Sequence, residues 1–124
     1  MMTRRAMIAV IDDDESVRES LPDLISLFGH NAETFSSAED FLASDLLDKA
    51  ECLVLDVAMP GMSGIELQRE LVHRGRAIPV VFITAHGDEQ TCARLRRPGN
   101  TECLLKPFTD TALLDALETV LMPK

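Results

Sequence analysis

Met7-Ile8-Ala9-Val10-Ile11-Asp12-Asp13-Asp14-Glu15 is the stretch that decides the fold: an apolar run of strand length breaks off into four acids, and Ser16 to Phe28 follows with a helical period. Val17, Leu21, Leu24 and Phe28 fall on one face of that helix, and Ser16 with Glu19 reads as a capping box at its start. Pro22 lies inside it, where a lost donor and a crowded turn cost about 3 kcal/mol, so a kink or a short first turn is expected. The alternation then repeats. A weak strand near Asn31 to Thr34 precedes a helix from about Ser37 to Leu47, and a clear strand at Cys52 to Val57 precedes a helix capped by Ser63 and Glu66 that runs to about Arg74. Pro79 to Thr84 reads as a buried strand, Asp88 to Arg97 as a polar helix stopped by Pro98-Gly99, and Glu102 to Leu105 as the last strand. Asp110 to Met122 closes the chain as a helix with Leu113, Leu117, Val120 and Leu121 turned inward. Five strands alternating with five helices predict an α/β fold, a parallel sheet of order 2-1-3-4-5 doubly wound by helices. Its crevice lies at the carboxyl ends of strands one and three.

With 124 residues, 46% of them hydrophobic, the chain is long enough for one core, and one domain is expected over 1–124 with its core at about 7–121. No stretch approaches the roughly eighteen apolar residues of a membrane span, and Met1 to Arg5 leads straight into a strand. A cytoplasmic protein without a membrane partner is the expectation. A net charge of -9 without a basic cluster argues against direct contact with nucleic acid. Cys52, Cys92 and Cys103 are widely spaced and read as reduced, structural thiols. His30, His73 and His86 are scattered and read as surface residues.

The crevice collects carboxylates, with Asp12-Asp13-Asp14-Glu15 after strand one and Asp56 at the end of strand three. Two carboxylates about 4 Å apart repel by about 4 kcal/mol at an effective dielectric of 20, so such a group calls for a cation. Mg²⁺ fits best, because it prefers oxygen ligands, takes one or two carboxylates with waters and commonly bridges to a phosphoryl group; Mn²⁺ could substitute. Acids after a strand also cap the next helix, which is a competing account of Asp14 and Glu15 but explains nothing about Asp56. Strand four ends in Thr84 and strand five runs into Lys106-Pro107, adding a hydroxyl and an ammonium to the same rim. A phosphoryl group would use both, with Asp56 as the carboxylate nucleophile.

Ile11-Asp12-Asp13, Leu55-Asp56-Val57 with Met59-Pro60-Gly61-Met62-Ser63-Gly64, Thr84-Ala85 and Lys106-Pro107-Phe108 arrive in an order and spacing that resemble the receiver domain of two-component response regulators, over Met7 to Leu121. The resemblance implies a flavodoxin-like, chemotaxis-regulator-like fold. It implies that Asp56 takes a phosphoryl group from the phosphohistidine of a sensor histidine kinase or phosphotransfer protein, with Asp13, Asp56 and the backbone carbonyl of Ala58 binding Mg²⁺ and Asp12 acting through a water. Thr84, Ala85 and Lys106 would hold the phosphoryl oxygens, and the Lys106-Pro107 peptide would be cis. Such a domain is no enzyme in the usual sense, though phosphorylation from small donors and self-dephosphorylation are expected of it. Its output, transcriptional by family lean, would pass through the face of the last two helices and strand five, by homodimerisation or contact with an output domain.

Two features depart from the family. The aromatic side chain that usually stands three residues before the Lys is Cys103 here, too small to toggle between buried and exposed rotamers. Pro98 with Arg94, Arg96 and Arg97 suggests a locally altered output surface, although the simpler reading of that charged helix is a solvated face. A degenerate receiver acting only as a phosphorylation-independent interaction module is the alternative that the Cys103 departure leaves open. A haloacid-dehalogenase-type phosphatase would need a second acid two residues after the nucleophile, where Ala58 stands. A nucleotide or flavin binder would need a Gly-rich or hydroxyl-rich loop where this chain has Asp12 to Glu15.

Overall fold

Strands β1 (Met7–Ile11), β2 (Asn31–Phe35), β3 (Cys52–Asp56), β4 (Val80–Thr84) and β5 (Thr101–Leu105) pair in parallel in the order β2-β1-β3-β4-β5, as expected. The structure is a computed structural model and describes residues 5–121 apart from His86 and Gly99. The expected surface place of His86, the Gly99 of the helix stop and Met122 at the last helix end fall outside the described residues. β3 and β4 are buried along their whole length, which is why they read in sequence as continuous apolar runs.

Alternation of side chains sorts the sheet into two cores. Ile8, Val10, Cys52, Val54, Val81 and Ile83 face α1 (Glu15–Leu27) and α6 (Asp110–Leu121), which contribute Leu21, Ile25, Leu113, Leu117 and Val120. Ala9, Ile11, Leu53, Leu55, Val80, Phe82 and Cys103 face the other way. There they meet α2 (Ala38–Leu42), α3 (Leu46–Lys49), α4 (Gly64–His73) and α5 (Glu89–Leu95), with Phe41, Leu67 and Leu71 fully covered.

Four local expectations change. The helix expected over Ser37 to Leu47 is two, α2 and α3, because the Ser44 hydroxyl donates to the Phe41 carbonyl (2.7 Å) and accepts the Leu46 N–H (3.2 Å), a local alternative to the helical ladder. α1 is capped by Asp14, whose carboxylate accepts the Ser16 N–H at 2.9 Å, so Ser16 lies inside the helix and the Ser16–Glu19 box is not its start; the helix runs on through Pro22. The Ser63–Glu66 capping box on α4 is present with both hydrogen bonds. α5 ends at Leu95, two residues early. Arg97 exchanges backbone hydrogen bonds with Thr101, and Arg96 turns back to donate to the Cys103 carbonyl at 2.9 Å. Finally His30 is buried rather than a surface residue: its Nδ1 accepts the Ala6 N–H at 3.0 Å, and burial pulls its pKa below the usual value.

The cysteine expectation is overturned for two of the three. Cys92 of α5 and Cys103 of β5 are joined by a disulfide, with Cα atoms 5.3 Å apart, while Cys52 is a buried free thiol. Their spacing of 11 in sequence is uninformative; they meet because α5 packs over β5. In the chain-entropy account, closing so short a loop contributes about 3 kcal/mol.

Candidate functional site

Parallel pairing sets the carboxyl ends of the strands level. Ile11 pairs with Leu55, Asp56 with Ile83, and Thr84 with Leu105, so the residues that end β1, β3, β4 and β5 share one rim. Asp12 and Asp56 are buried, at 1% and 7% exposure, and Asp13 is exposed. Each of the three offers a carboxylate oxygen within 4.8 Å of the others. The acids of this loop thus divide: Asp14 caps α1, Glu15 lies in its first turn, where it favours the helix dipole, and Asp12 and Asp13 turn to the crevice.

Asp12 is held from three sides. Its Oδ1 accepts the Asp14 N–H at 2.9 Å, Arg18 donates to its carbonyl at 2.9 Å, and Lys106 Nζ lies 3.3 Å from its Oδ2. That Oδ2 is fully buried and receives no hydrogen bond, the ammonium contact being ionic only. Asp56 Oδ1 accepts the Ala58 N–H at 3.2 Å. Burial first, then the Asp12 charge and a hydrogen bond shared with Asp12, push the Asp56 carboxyl up to about 7, against a smaller downward pull from Lys106 and the Ala58 N–H. A buried, unsatisfied carboxylate oxygen beside two further hard oxygen donors, with one ammonium opposing the charge of three acids, is a donor set that fits a hard divalent cation.

Thr84 is buried at the end of β4, and its hydroxyl donates to Asp88 Oδ2 at 2.9 Å. Ala85, exposed, accepts the Asp88 N–H through its carbonyl at 3.2 Å. The Lys106 N–H donates to the Thr84 carbonyl at 2.8 Å, which fixes the start of the β5–α6 turn, and the Lys106–Pro107 peptide is cis. All the expected site residues, Asp12, Asp13, Asp56, Ala58, Thr84, Ala85 and Lys106, therefore lie on this rim.

Sequence reasoning missed three supports: Asp88 as the partner of Thr84, Arg18 on the Asp12 carbonyl, and Glu39, which accepts the Met62 N–H at 3.1 Å and ties the loop after β3 to α2. Asp88, Arg18 and Glu39 lie four, six and twenty-three residues from their partners, and no motif links any of these pairs. Beside the rim, Lys106, Pro107 and Phe108 form one wall of an open groove of about 680 Å³, with Leu21, Leu24 and Leu27 of α1 opposite.

Comparison with known proteins agrees with this geometry. The family model described as "Response regulator receiver domain" matches residues 8–118. Nodulation protein W of Bradyrhizobium diazoefficiens is 42% identical over 113 residues, which are 91% of this chain and 50% of that protein. Transcriptional regulatory protein TdiR of Thauera aromatica is 40% identical over 114 residues, 92% of this chain and 50% of that protein. The chain thus spans about half the length of the curated relatives it matches. Among solved structures, the crystal structure of FixJ-N superposes with a TM-score of 0.83 at 34% identity, covering 96% of this chain and 95% of that one. A family match over nearly the whole chain, on a sheet whose strand ends carry the acids, threonine and lysine, establishes that this chain belongs to the response regulator receiver domain family.

Proposed function

We propose that the chain, as one receiver domain over 1–124, accepts a phosphoryl group on Asp56 from the phosphohistidine of a sensor histidine kinase or phosphotransfer protein in the cytoplasm. The observation that carries this reading is the meeting of Asp56 with Asp12, Asp13 and Lys106 on one rim. An Asp56 carboxylate oxygen attacks phosphorus, the N–P bond breaks, and the imidazole leaves with the electron pair. Asp13, Asp56 and the Ala58 carbonyl, with Asp12 through a water, would hold Mg²⁺, which when bound screens the carboxylates from each other and from the phosphoryl oxygens. Lys106 neutralises one phosphoryl oxygen as a point charge. Thr84 hydrogen-bonds another after releasing Asp88, with Ala85 beside it. The altered acid-rim contacts then reach the α5–β5–α6 face, which pairs with a second copy or meets an output domain. The likeness to transcriptional regulatory protein TdiR supports a transcriptional output. The charge of -9 argues against DNA contact by this chain itself. Among the described residues no helix is long and apolar enough to cross a membrane.

Intact mass after incubation with acetyl phosphate and Mg²⁺ tests the proposal. One phosphoryl adduct is expected, lost in chelator and lost in Asp56→Asn. An adduct that survives that substitution would put the acceptor elsewhere, and none in the wild type would leave a phosphorylation-independent module.

Cation binding has its own readout. Millimolar Mg²⁺ is expected to raise Tm by about 4 °C, as about 1 kcal/mol of linked binding does for a domain of this size. Asp13→Asn should abolish most of that rise, since the exposed carboxylate contributes to the cluster and little to the core. An unchanged Tm in the wild type would count against the site.

A further inference from the structure

We propose that Cys92 and Cys103 form a thiol–disulfide switch that, when oxidised, pins α5 to β5 and keeps Thr84 engaged on Asp88, and that a dithiol reductant releases. The inference rests on the phosphoacceptor reading of Asp56 and adds a second input to it.

The pair closes a circuit that begins and ends at the acidic rim. Thr84 donates to Asp88, the residue that precedes α5; one turn on, Cys92 is bonded to Cys103; three residues further along, Lys106 sits 3.3 Å from Asp12. Cys92 is the one fully buried side chain of α5, and the disulfide is the covalent tie of this seven-residue helix to the sheet, beside Leu95 packed on the core and Arg96 on the Cys103 carbonyl. Asp88 makes no side-chain cap bond to the helix it precedes, and its carboxylate serves Thr84 instead. While α5 is pinned, Asp88 stays over Thr84 and competes for the hydroxyl that a phosphoryl group on Asp56 would use. With the bond opened, α5 is held only by the packing of Cys92 and Leu95 and by the Arg96 hydrogen bond, so Asp88 moves away at lower cost.

The chemistry balances with a dithiol of the class that keeps cytosolic thiols reduced. Its thiolate attacks one sulfur of the pair, the S–S bond breaks and a mixed disulfide forms. Its second thiol displaces the bound sulfur, so two electrons and two protons pass to Cys92 and Cys103 and the reductant leaves as a cyclic disulfide. Cys92 is 2% and Cys103 0% exposed, so attack requires α5 to lift first, a step that such a short helix permits. Cys52 takes no part: it is wholly buried in β3 on the opposite core, and burial pushes its thiol up to about 12.

The test compares the purified chain before and after treatment with dithiothreitol. Alkylation in denaturant followed by intact mass should mark one cysteine before reduction and three after it. Acetyl phosphate with Mg²⁺ should then phosphorylate the reduced chain about fivefold faster than the oxidised one, a coupling of ordinary size between two sites. The double variant Cys92→Ala/Cys103→Ala should match the reduced wild type and ignore the reductant; the untreated and reduced wild type carry the comparison if the variant does not fold. Equal rates in the two redox states, or three alkylatable thiols before reduction, would overturn the switch and leave the phosphoacceptor reading intact. An absence of any adduct in both states would overturn both.

Discussion

Asp56→Asn is expected to abolish phosphorylation and, in chelator at neutral pH, to make the chain more stable than the wild type. The sign follows from the raised carboxyl. An acid whose pKa is lifted from 3.8 to about 7 on folding favours the folded state only while protonated. Below about pH 4 it is neutral in both states and costs nothing; as pH rises to about 7 the unfolded chain ionises first and wild-type stability falls, levelling off above that. Three pKa steps correspond to about 4 kcal/mol, and allowing for solvent reaching the exposed Asp13 side of the cluster, a gain of about 2–3 kcal/mol is expected for the variant. Urea denaturation of both proteins in chelator at about pH 5 and about pH 8 checks it: the gap should open with pH and close again for wild type in millimolar Mg²⁺. A variant no more stable than wild type at the higher pH would show that Lys106 already offsets the Asp12–Asp56 repulsion.

Gly64→Ala is expected to be the most damaging small substitution on the rim. Gly64 opens α4, its N–H donates to the Val57 carbonyl at 3.0 Å, and a β-carbon there would fall inside van der Waals contact of the Asp56 carbonyl oxygen, 3.0 Å from the Asp56 carbonyl carbon and 3.1 Å from Leu55 Cγ. These are backbone and core atoms, so nothing flexible gives way. Either α4 is displaced or Asp56 moves, and a loss of about 3 kcal/mol is expected from such overpacking. Because the clash falls on Asp56, the proposed acceptor, the phosphorylation rate should drop as well, even at temperatures where the variant is folded. Stability within about 0.5 kcal/mol of wild type, a margin typical of ordinary surface changes, would show that α4 docks more loosely than these distances imply.

The sheet was legible in the sequence because buried parallel strands are apolar throughout: Cys52 to Asp56 and Val80 to Thr84 left no alternative reading. The site was legible because a doubly wound fold puts its chemistry at strand ends, and charged or hydroxyl residues after apolar runs stand out. What escaped depends on neighbours in space. Ser44 splits a helix through two short-range hydrogen bonds that compete with the pattern around it. His30 looks like a loop polar residue until β1 supplies the Ala6 N–H. Cys92 and Cys103 carry no signature as a pair, since a spacing of 11 says nothing until α5 packs over β5.

The order of the strands also sets when the rim comes into being. Asp12 and Asp56 come from β1 and β3, which are neighbours in the sheet although β2 and three helices separate them in the chain, and Lys106 follows the strand at the far edge. Such long-range pairing is paid for in loop closure before it is rewarded, which slows folding. A nascent chain whose first four strands had paired would hold the acids together without Lys106, so its incomplete sheet would carry the repulsion without that counter-charge. Docking of β5 would supply Lys106 and complete the crevice in one event, so that the proposed competence to receive a phosphoryl group would arrive with the last strand.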